Sequence, residues 1–208
     1  MSELSLAYGA SDVEVTTQET VFQGYFRMDA LTLRHKRFDG SWTQSIRREL
    51  FQRGDAVAVL PWDVKEDRIV LIEQFRPGAI RGAGSPWMLE AVAGVVEDGE
   101  SDEAVAHREA AEEAGCTMDL LLPITSYYPS PGACSEQIRL FIGRLTSAAV
   151  GEVRGVETEN EDILVHSVTR TQAITLLDAG KINNGLTIIA LHWLARHGDR
   201  LRSDWLSE

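Results

Sequence analysis

Between residues 26 and 51, polar and apolar positions alternate on both sides of Asp39-Gly40. That dipeptide suits a tight hairpin turn, so 26–38 and 41–51 read as paired strands. Shorter runs rich in valine and threonine near 13–21 add further strands, and residues 1–52 read as a small antiparallel β unit. The pattern then changes to continuous apolar runs at 56–60 and 68–72, separated by a turn over 61–67, and at 87–92. Similar runs recur at 138–142 and 163–168, with an acidic, glycine-containing loop over 151–162 before the last of them. These read as core strands.

Helical spacing governs the remainder. Over 101–114, Val105, Ala106, Ala110 and Ala114 form a narrow stripe of small residues able to lie close against a sheet. Ser101 suits the cap of that helix, Asp102 and Glu103 suit its positive end, and Gly115 is a natural stop. Thr169 caps a second segment, in which Ala173, Ile174, Leu176 and Leu177 repeat until Gly180. Asn183 or Asn184 precedes a third over 186–197, closed by Gly198. Helices on both faces of a mixed sheet make an α+β chain: an α/β/α sandwich over 53–208 behind the antiparallel β unit.

Composition narrows the possibilities. With 208 residues and 44% hydrophobic content, the chain can bury the core of one main domain with room for a small subdomain. No segment has the charge and apolar pattern of a leader or the length of a membrane span, which points to a soluble cytoplasmic protein without a membrane partner. Cys116 and Cys134 lack the spacing of a zinc site or disulfide scaffold. His192 and His197 read as packing or surface residues. A net charge of −12 argues against a nucleic-acid partner. That charge is uneven: Arg27, Arg34, Arg47, Arg48, Arg53 and Arg76 precede residue 94, while carboxylates crowd into and after the first helix. Such polarity suits a small anionic substrate, and equally two solvated surfaces.

The first helix carries the candidate chemistry. Glu109, Glu112 and Glu113 stand at i, i+3 and i+4, so their carboxylates share the face opposite the small stripe. Hard divalent cations such as Mg²⁺ or Mn²⁺ take such oxygen ligands and bridge phosphate oxygens. The plain alternative is a solvated acidic face, and repulsion does not decide against it, because an exposed like-charge pair costs only about 0.2–0.5 kcal/mol. Pattern does. Gly94, Glu100, Arg108, Glu109, Glu112, Glu113 and Gly115 stand in the spacing G-x5-E-x7-R-E-x-x-E-E-x-G.

That spacing resembles the Nudix box, and the chain is identified as a member of the Nudix hydrolases, which split a nucleoside diphosphate linked to another group using divalent cations. The resemblance implies the sandwich fold, and a brace between Glu100 and Arg108. It continues outside the box. Pro131 lies sixteen residues after Gly115 within SPGACSE, and RREL, IEQFR and the late ETENEDI also resemble segments of bacterial ADP-ribose pyrophosphatases. By that likeness Glu109 and Glu113 would hold Mg²⁺ with the backbone carbonyl of Ala93, and Glu112 would be a further or near ligand. Glu159 would be the general base, with Glu161 as the competing choice because Thr158 stands where an acid is expected. Arg76, Glu136 and Pro131 would lie on the phosphate and terminal ribose side. Arg48 and Tyr25 would reach the adenosine from a neighbouring subunit, which implies a homodimer exchanging the β unit. The implied reaction yields AMP and ribose 5-phosphate. GDP-mannose as substrate, or a non-hydrolytic ADP-ribose sensor, are the alternatives. Ala110 and Cys116 are smaller than the aliphatic residues usual at their box positions, which bears on packing.

Overall fold

The computed structural model describes residues 4–208, except that the side chain of Glu159 lies outside the described residues. The chain divides into two compact units: one through Gly54 together with Tyr128–Glu136, the other Asp55–Tyr127 with Gln137–Glu208.

The first unit is one antiparallel sheet in the order β1 (Val13–Gln23), β2 (Arg27–His35) and β3 (Ile46–Gln52). A single long β1 replaces the shorter strands expected, with register shifts at Val15/Thr17 and Thr20/Phe22. The Asp39-Gly40 turn exists, with Gly40 at φ 83°, but it closes a wider connection: the regular pairing of β2 with β3 ends at Leu33 opposite Ile46. Asp39 explains this, since its Oδ1 accepts from both N–H and Oγ of Ser41 and so builds a local turn instead of continuing the ladder. Tyr128–Glu136 joins this unit through Phe51 N–H to Ala133 O at 2.7 Å and Ser135 N–H to Phe51 O at 3.1 Å.

The second unit is a three-layer sandwich. Its sheet runs β10 (Val153–Arg154), β11 (Ile163–Thr169), β5 (Arg68–Phe75), β4 (Ala56–Asp63), β9 (Ile138–Ser147) and β8 (Thr117–Tyr127), while β6 (Trp87–Glu90) pairs with β5 and β7 (Val92–Val95) with β4. Only β4 and β9 run parallel, so the sheet is mixed. Alternation along the central β4 assigns its faces: Val57 and Val59 pack with Val105, Ala106, Ala110 and Ala114 of α1 (Asp102–Ala114). Ala58, Leu60 and Trp62 pack on the other side with Ala173 of α2 (Arg170–Asp178) and Ala190, Leu191 and Leu194 of α3 (Gly185–Leu206). Leu60 has no exposed surface, so Leu60→Ala would cost about 2–5 kcal/mol.

Three elements depart from the expected pattern. The apolar run 87–92 is two strands, because the chain crosses from pairing with β5 to pairing with β4 at Ala91, whose N–H leaves the ladder and donates to Thr187 Oγ1 at 2.9 Å. β8 has no counterpart in the expected elements; mixed burial and Pro123 blur its alternation. The last helix does not stop at Gly198. That glycine is a point of close approach, where a Cβ would stand 2.7 Å from Arg170 Nη1 and 3.0 Å from Leu194 Cδ1. Among the described residues, no helix is long and apolar enough to cross a membrane.

Candidate active site

The site is assembled on α1 and β7. Ser101 caps the helix, accepting from Ala104 N–H at 3.2 Å, with Asp102 and Glu103 in the first turn. At the other end Gly115 takes the left-handed conformation at φ 55°, with its N–H on Ala111 O and that of Cys116 on Ala110 O. The fully buried Ala110 and the nearly buried Cys116 let the helix sit low on the sheet. Burial pushes the Cys116 thiol up to about 12, so it is a packing residue rather than a nucleophile.

Gly94 of β7 is the closest approach in the second unit. A Cβ there would lie 1.7 Å from Glu109 Oε1, so only the missing side chain leaves room for that carboxylate against the strand. Next to it, Glu113 is 3% exposed and its Oε2 accepts the N–H of Ala93 at 3.1 Å. Burial pushes Glu113 up to about 8; the Ala93 N–H opposes this, the Glu109 and Glu161 charges reinforce it, and Arg76 opposes it. Glu109 is likewise raised by burial against the pull of Arg108, with Glu112 and Glu161 adding to the rise. Crowded carboxylates in a poorly solvated pocket are short of positive charge.

Arg108 braces the loop before the helix. Its Nε and Nη2 each donate to Glu100 at 3.0 Å, and Glu100 Oε2 also accepts Glu97 N–H at 3.1 Å. These bonds lower the Glu100 pKa and raise that of Arg108. Arg108 Nη1 further donates to Glu109 Oε1 at 2.7 Å and Glu112 Oε2 at 3.3 Å, contacts that the paired reading of Glu100 and Arg108 did not anticipate.

Glu161 approaches from the late loop. Its Oε2 accepts Val156 N–H at 3.0 Å, and Gly155, at φ 110°, has no room for a Cβ, which would stand 2.6 Å from Glu161 Cβ. Glu159 ends a 3-10 turn, Glu157–Glu159, followed by left-handed Asn160 at φ 56°.

Arg76 follows β5, and its Nε and Nη2 donate to Glu90 Oε2 at 2.9 and 2.8 Å. Glu90, 1% exposed, is the functional candidate that sequence reasoning missed. Its signal was there: a lone carboxylate inside the otherwise apolar 87–92 run. The other assigned residues belong to the first unit. Tyr25 is 94% exposed at the β1–β2 turn with its ring edge-on to Phe26, and Arg48 Nη1 donates to Arg47 O at 2.9 Å. Pro131 lies in a surface turn, and buried Glu136 pairs with Arg53 Nε at 3.4 Å.

Among the described residues, no three side chains form a ready-made metal-ligating group. Yet the donor set fits a hard divalent cation: oxygen donors only, with one carboxylate in a cradle that a Cβ would fill and one buried with a single N–H donor. Arg108 meanwhile supplies the countercharge for Glu109 and Glu112.

Comparison with known proteins agrees with this geometry. The family model described as NUDIX domain matches residues 52–185. The chain is 42% identical over 202 residues to a protein of Escherichia coli (strain K12) named ADP-ribose pyrophosphatase, covering 97% of each chain. It is 40% identical over 208 residues to one of the same name from Haemophilus influenzae, covering 99% of this chain and 95% of the relative. A GDP-mannose pyrophosphatase of Escherichia coli is 28% identical over 183 residues, covering 88% and 94%.

Proposed function

The chain belongs to the NUDIX family, and from that premise we propose that it hydrolyses the diphosphate bond of ADP-ribose to AMP and ribose 5-phosphate, with Mg²⁺ as its cation and Mn²⁺ as a substitute. The observation that carries the substrate is the contrast in likeness: 42% and 40% identity over nearly the whole chain to ADP-ribose pyrophosphatases, against 28% to a GDP-mannose pyrophosphatase.

Glu109 and Glu113, with the carbonyl of Ala93 and with Glu112 at the rim, would hold the cation. Bound there, it would neutralise diphosphate oxygens that otherwise repel a nucleophile and would lower the pKa of coordinated water. The chain's own part is positional. Gly94 leaves room for the Glu109 carboxylate, the Ala93 N–H orients that of Glu113, and the Glu100–Arg108 brace fixes the loop over the helix. Arg76 offers its guanidinium to a phosphate oxygen. A carboxylate of the late loop, Glu159 or Glu161, would accept the proton of the attacking water. Glu161 has electrostatic reach to Glu109 and Glu113, which supports a place for that loop beside them.

We extend the proposal to Tyr25, Arg48, Pro131 and Glu136 as substrate residues, on the likeness stated above, and to a homodimer formed through the β unit of residues 1–52. Supporting the dimer, every residue of β1 is exposed, including Val13, Val15, Val21 and Phe22, a strand that buries nothing on its own. Two free cysteines suit a cytoplasmic setting.

Release of AMP from ADP-ribose and of GMP from GDP-mannose, followed side by side in Mg²⁺, tests the reading. Preference for ADP-ribose is expected. Preference for GDP-mannose would overturn the substrate, and thermal stabilisation by ADP-ribose without turnover would make the protein a sensor.

A further inference from the structure

Arg76 is exposed at 42% of its side chain, and a long cation in that position ordinarily samples many rotamers. Here it does not have that freedom. Its Nε and Nη2 converge on a single oxygen, Oε2 of Glu90, at 2.9 and 2.8 Å, and the Glu90 side chain is only 2% exposed. The other carboxylate oxygen, Oε1, accepts Asn184 Nδ2 at 2.8 Å. Asn184 is itself fixed as the N-cap of α3: its Oδ1 accepts Thr187 N–H at 3.3 Å and lies 3.2 Å from Thr187 Oγ1. Fully buried Thr187 in turn accepts Ala91 N–H at 2.9 Å, at the strand crossover two residues before Ala93. The start of α3 is thus tied through Asn184 and Glu90 to the guanidinium of Arg76.

Both oxygens of Glu90 are committed to protein donors, so it is placed neither to take a cation nor to accept a proton from water. Arg76 Nη1, by contrast, has no partner among the described residues, and Arg76 is close enough to Glu113 to act on its charge. We propose that Glu90 and Asn184 are positioning residues: together they hold Arg76 so that its free edge serves as a fixed donor for a phosphoryl group beside the box carboxylates. The proposal rests on the diphosphate hydrolase reading, not on the identity of the sugar.

Replacing Glu90 by glutamine sets amide donors against guanidinium donors and frees Arg76 to swing away. Inorganic pyrophosphate is the probe, titrated calorimetrically into the Mg²⁺-loaded protein, because its binding does not depend on base or sugar. Arg76→Ala is expected to weaken binding about 10- to 100-fold, the range for one charge-assisted contact. Glu90→Gln should lose most of that factor, and the double variant should be no weaker than Arg76→Ala alone. Asn184→Ser, which keeps a capping oxygen but removes the donor to Glu90, should weaken binding in the same direction by a smaller factor, and it carries the test if Glu90→Gln does not fold. Independent, multiplying losses in the double variant would make Glu90 merely structural and overturn the proposal, as would pyrophosphate binding indifferent to Arg76. Parallel assays of ADP-ribose turnover keep the two questions apart: no turnover with an intact Arg76–Glu90 coupling sinks the substrate and leaves the clamp standing.

Discussion

Each unit hides two carboxylates from solvent, Asp29 and Glu136 in the first and Glu90 and Glu113 in the second, and of these Asp29 and Glu113 are treated in opposite ways. Asp29, in the middle of β2, is 1% exposed, covered by its immediate neighbours in a single thin sheet. Its oxygens accept from Gln18 Nε2 at 2.8 Å, Thr20 Oγ1 at 2.9 Å and Gln52 Nε2 at 3.3 Å, and Arg27 Nε stands 3.1 Å away. Burial alone would raise its pKa, but these donors outweigh it and hold the carboxyl below the usual range. Glu113, 3% exposed, receives one N–H and faces other carboxylates, and it is pushed up to about 8. A saturated carboxylate serves as a joint: it ties β1, β2 and β3 together and has nothing left to offer. An unsaturated one is held in a state that folding alone does not favour, which marks it for a ligand.

The largest effect should come from cancelling that contrast at its unsaturated end. Glu113→Gln removes the charge while keeping the shape, and with it a cation ligand that is worth several kcal/mol of transition-state stabilisation. Turnover should fall by at least about 10³-fold, while thermal stability is kept or improved. Near-normal kcat in this variant would remove Glu113 from the ligand set. Gly94→Ala acts one step further out. The new Cβ must displace the Glu109 carboxylate from beside β7, and a misplacement of that order costs about 10²-fold in rate. Unchanged Mg²⁺ dependence and rate would show that Glu109 need not lie against the strand.

At the saturated end the expected loss is of stability. Asp29→Ala leaves the amides of Gln18 and Gln52 and the hydroxyl of Thr20 without their shared acceptor, which should lower the midpoint of chemical denaturation. If Asp29→Ala lowered turnover with no loss of stability, Asp29 would not be a joint.

The two carboxylates also differ in how visible they are in the sequence. Glu113 belongs to a pattern whose members lie within one helix and the strand and loop just before it, so spacing alone brings them together. Asp29 and Glu90 are single acids in strands, and their partners come from β1, β3 or, for Glu90, from Asn184 more than ninety residues on; nothing local announces such a bond. The same holds for elements. Runs facing the core on both sides, such as β4, could be read directly up to Leu60, although the strand continues through Pro61 to Asp63 where a turn was expected, whereas β8, with one face partly open, could not. Gly198 looked like a helix end because a terminating glycine and one admitting a neighbour's side chain read alike until Arg170 is seen against it.

The smallest expected effect tests the contrast itself through pH. Glu113 carries a folded pKa near 8, above the unfolded carboxylate range, so the folded chain holds a proton that the unfolded chain releases. Its contribution to stability is therefore fully present below about pH 4.3 and is lost as pH rises toward 8. Asp29 runs the other way: its folded pKa is depressed, so its contribution is present above about pH 3.9 and lost in acid, as pH falls through the folded value. Without divalent cations, the thermal midpoint should drop by a few degrees between pH 6 and pH 8, and Glu113→Gln should flatten that slope while leaving the acid limb in place. Saturating Mg²⁺ should raise the midpoint more at pH 8 than at pH 6, because at the lower pH the ion must first displace the proton from Glu113. Equal stabilisation at both pH values would mean that Glu113 is already ionised in the empty site, and the distinction between the two carboxylates would then be one of bonding alone.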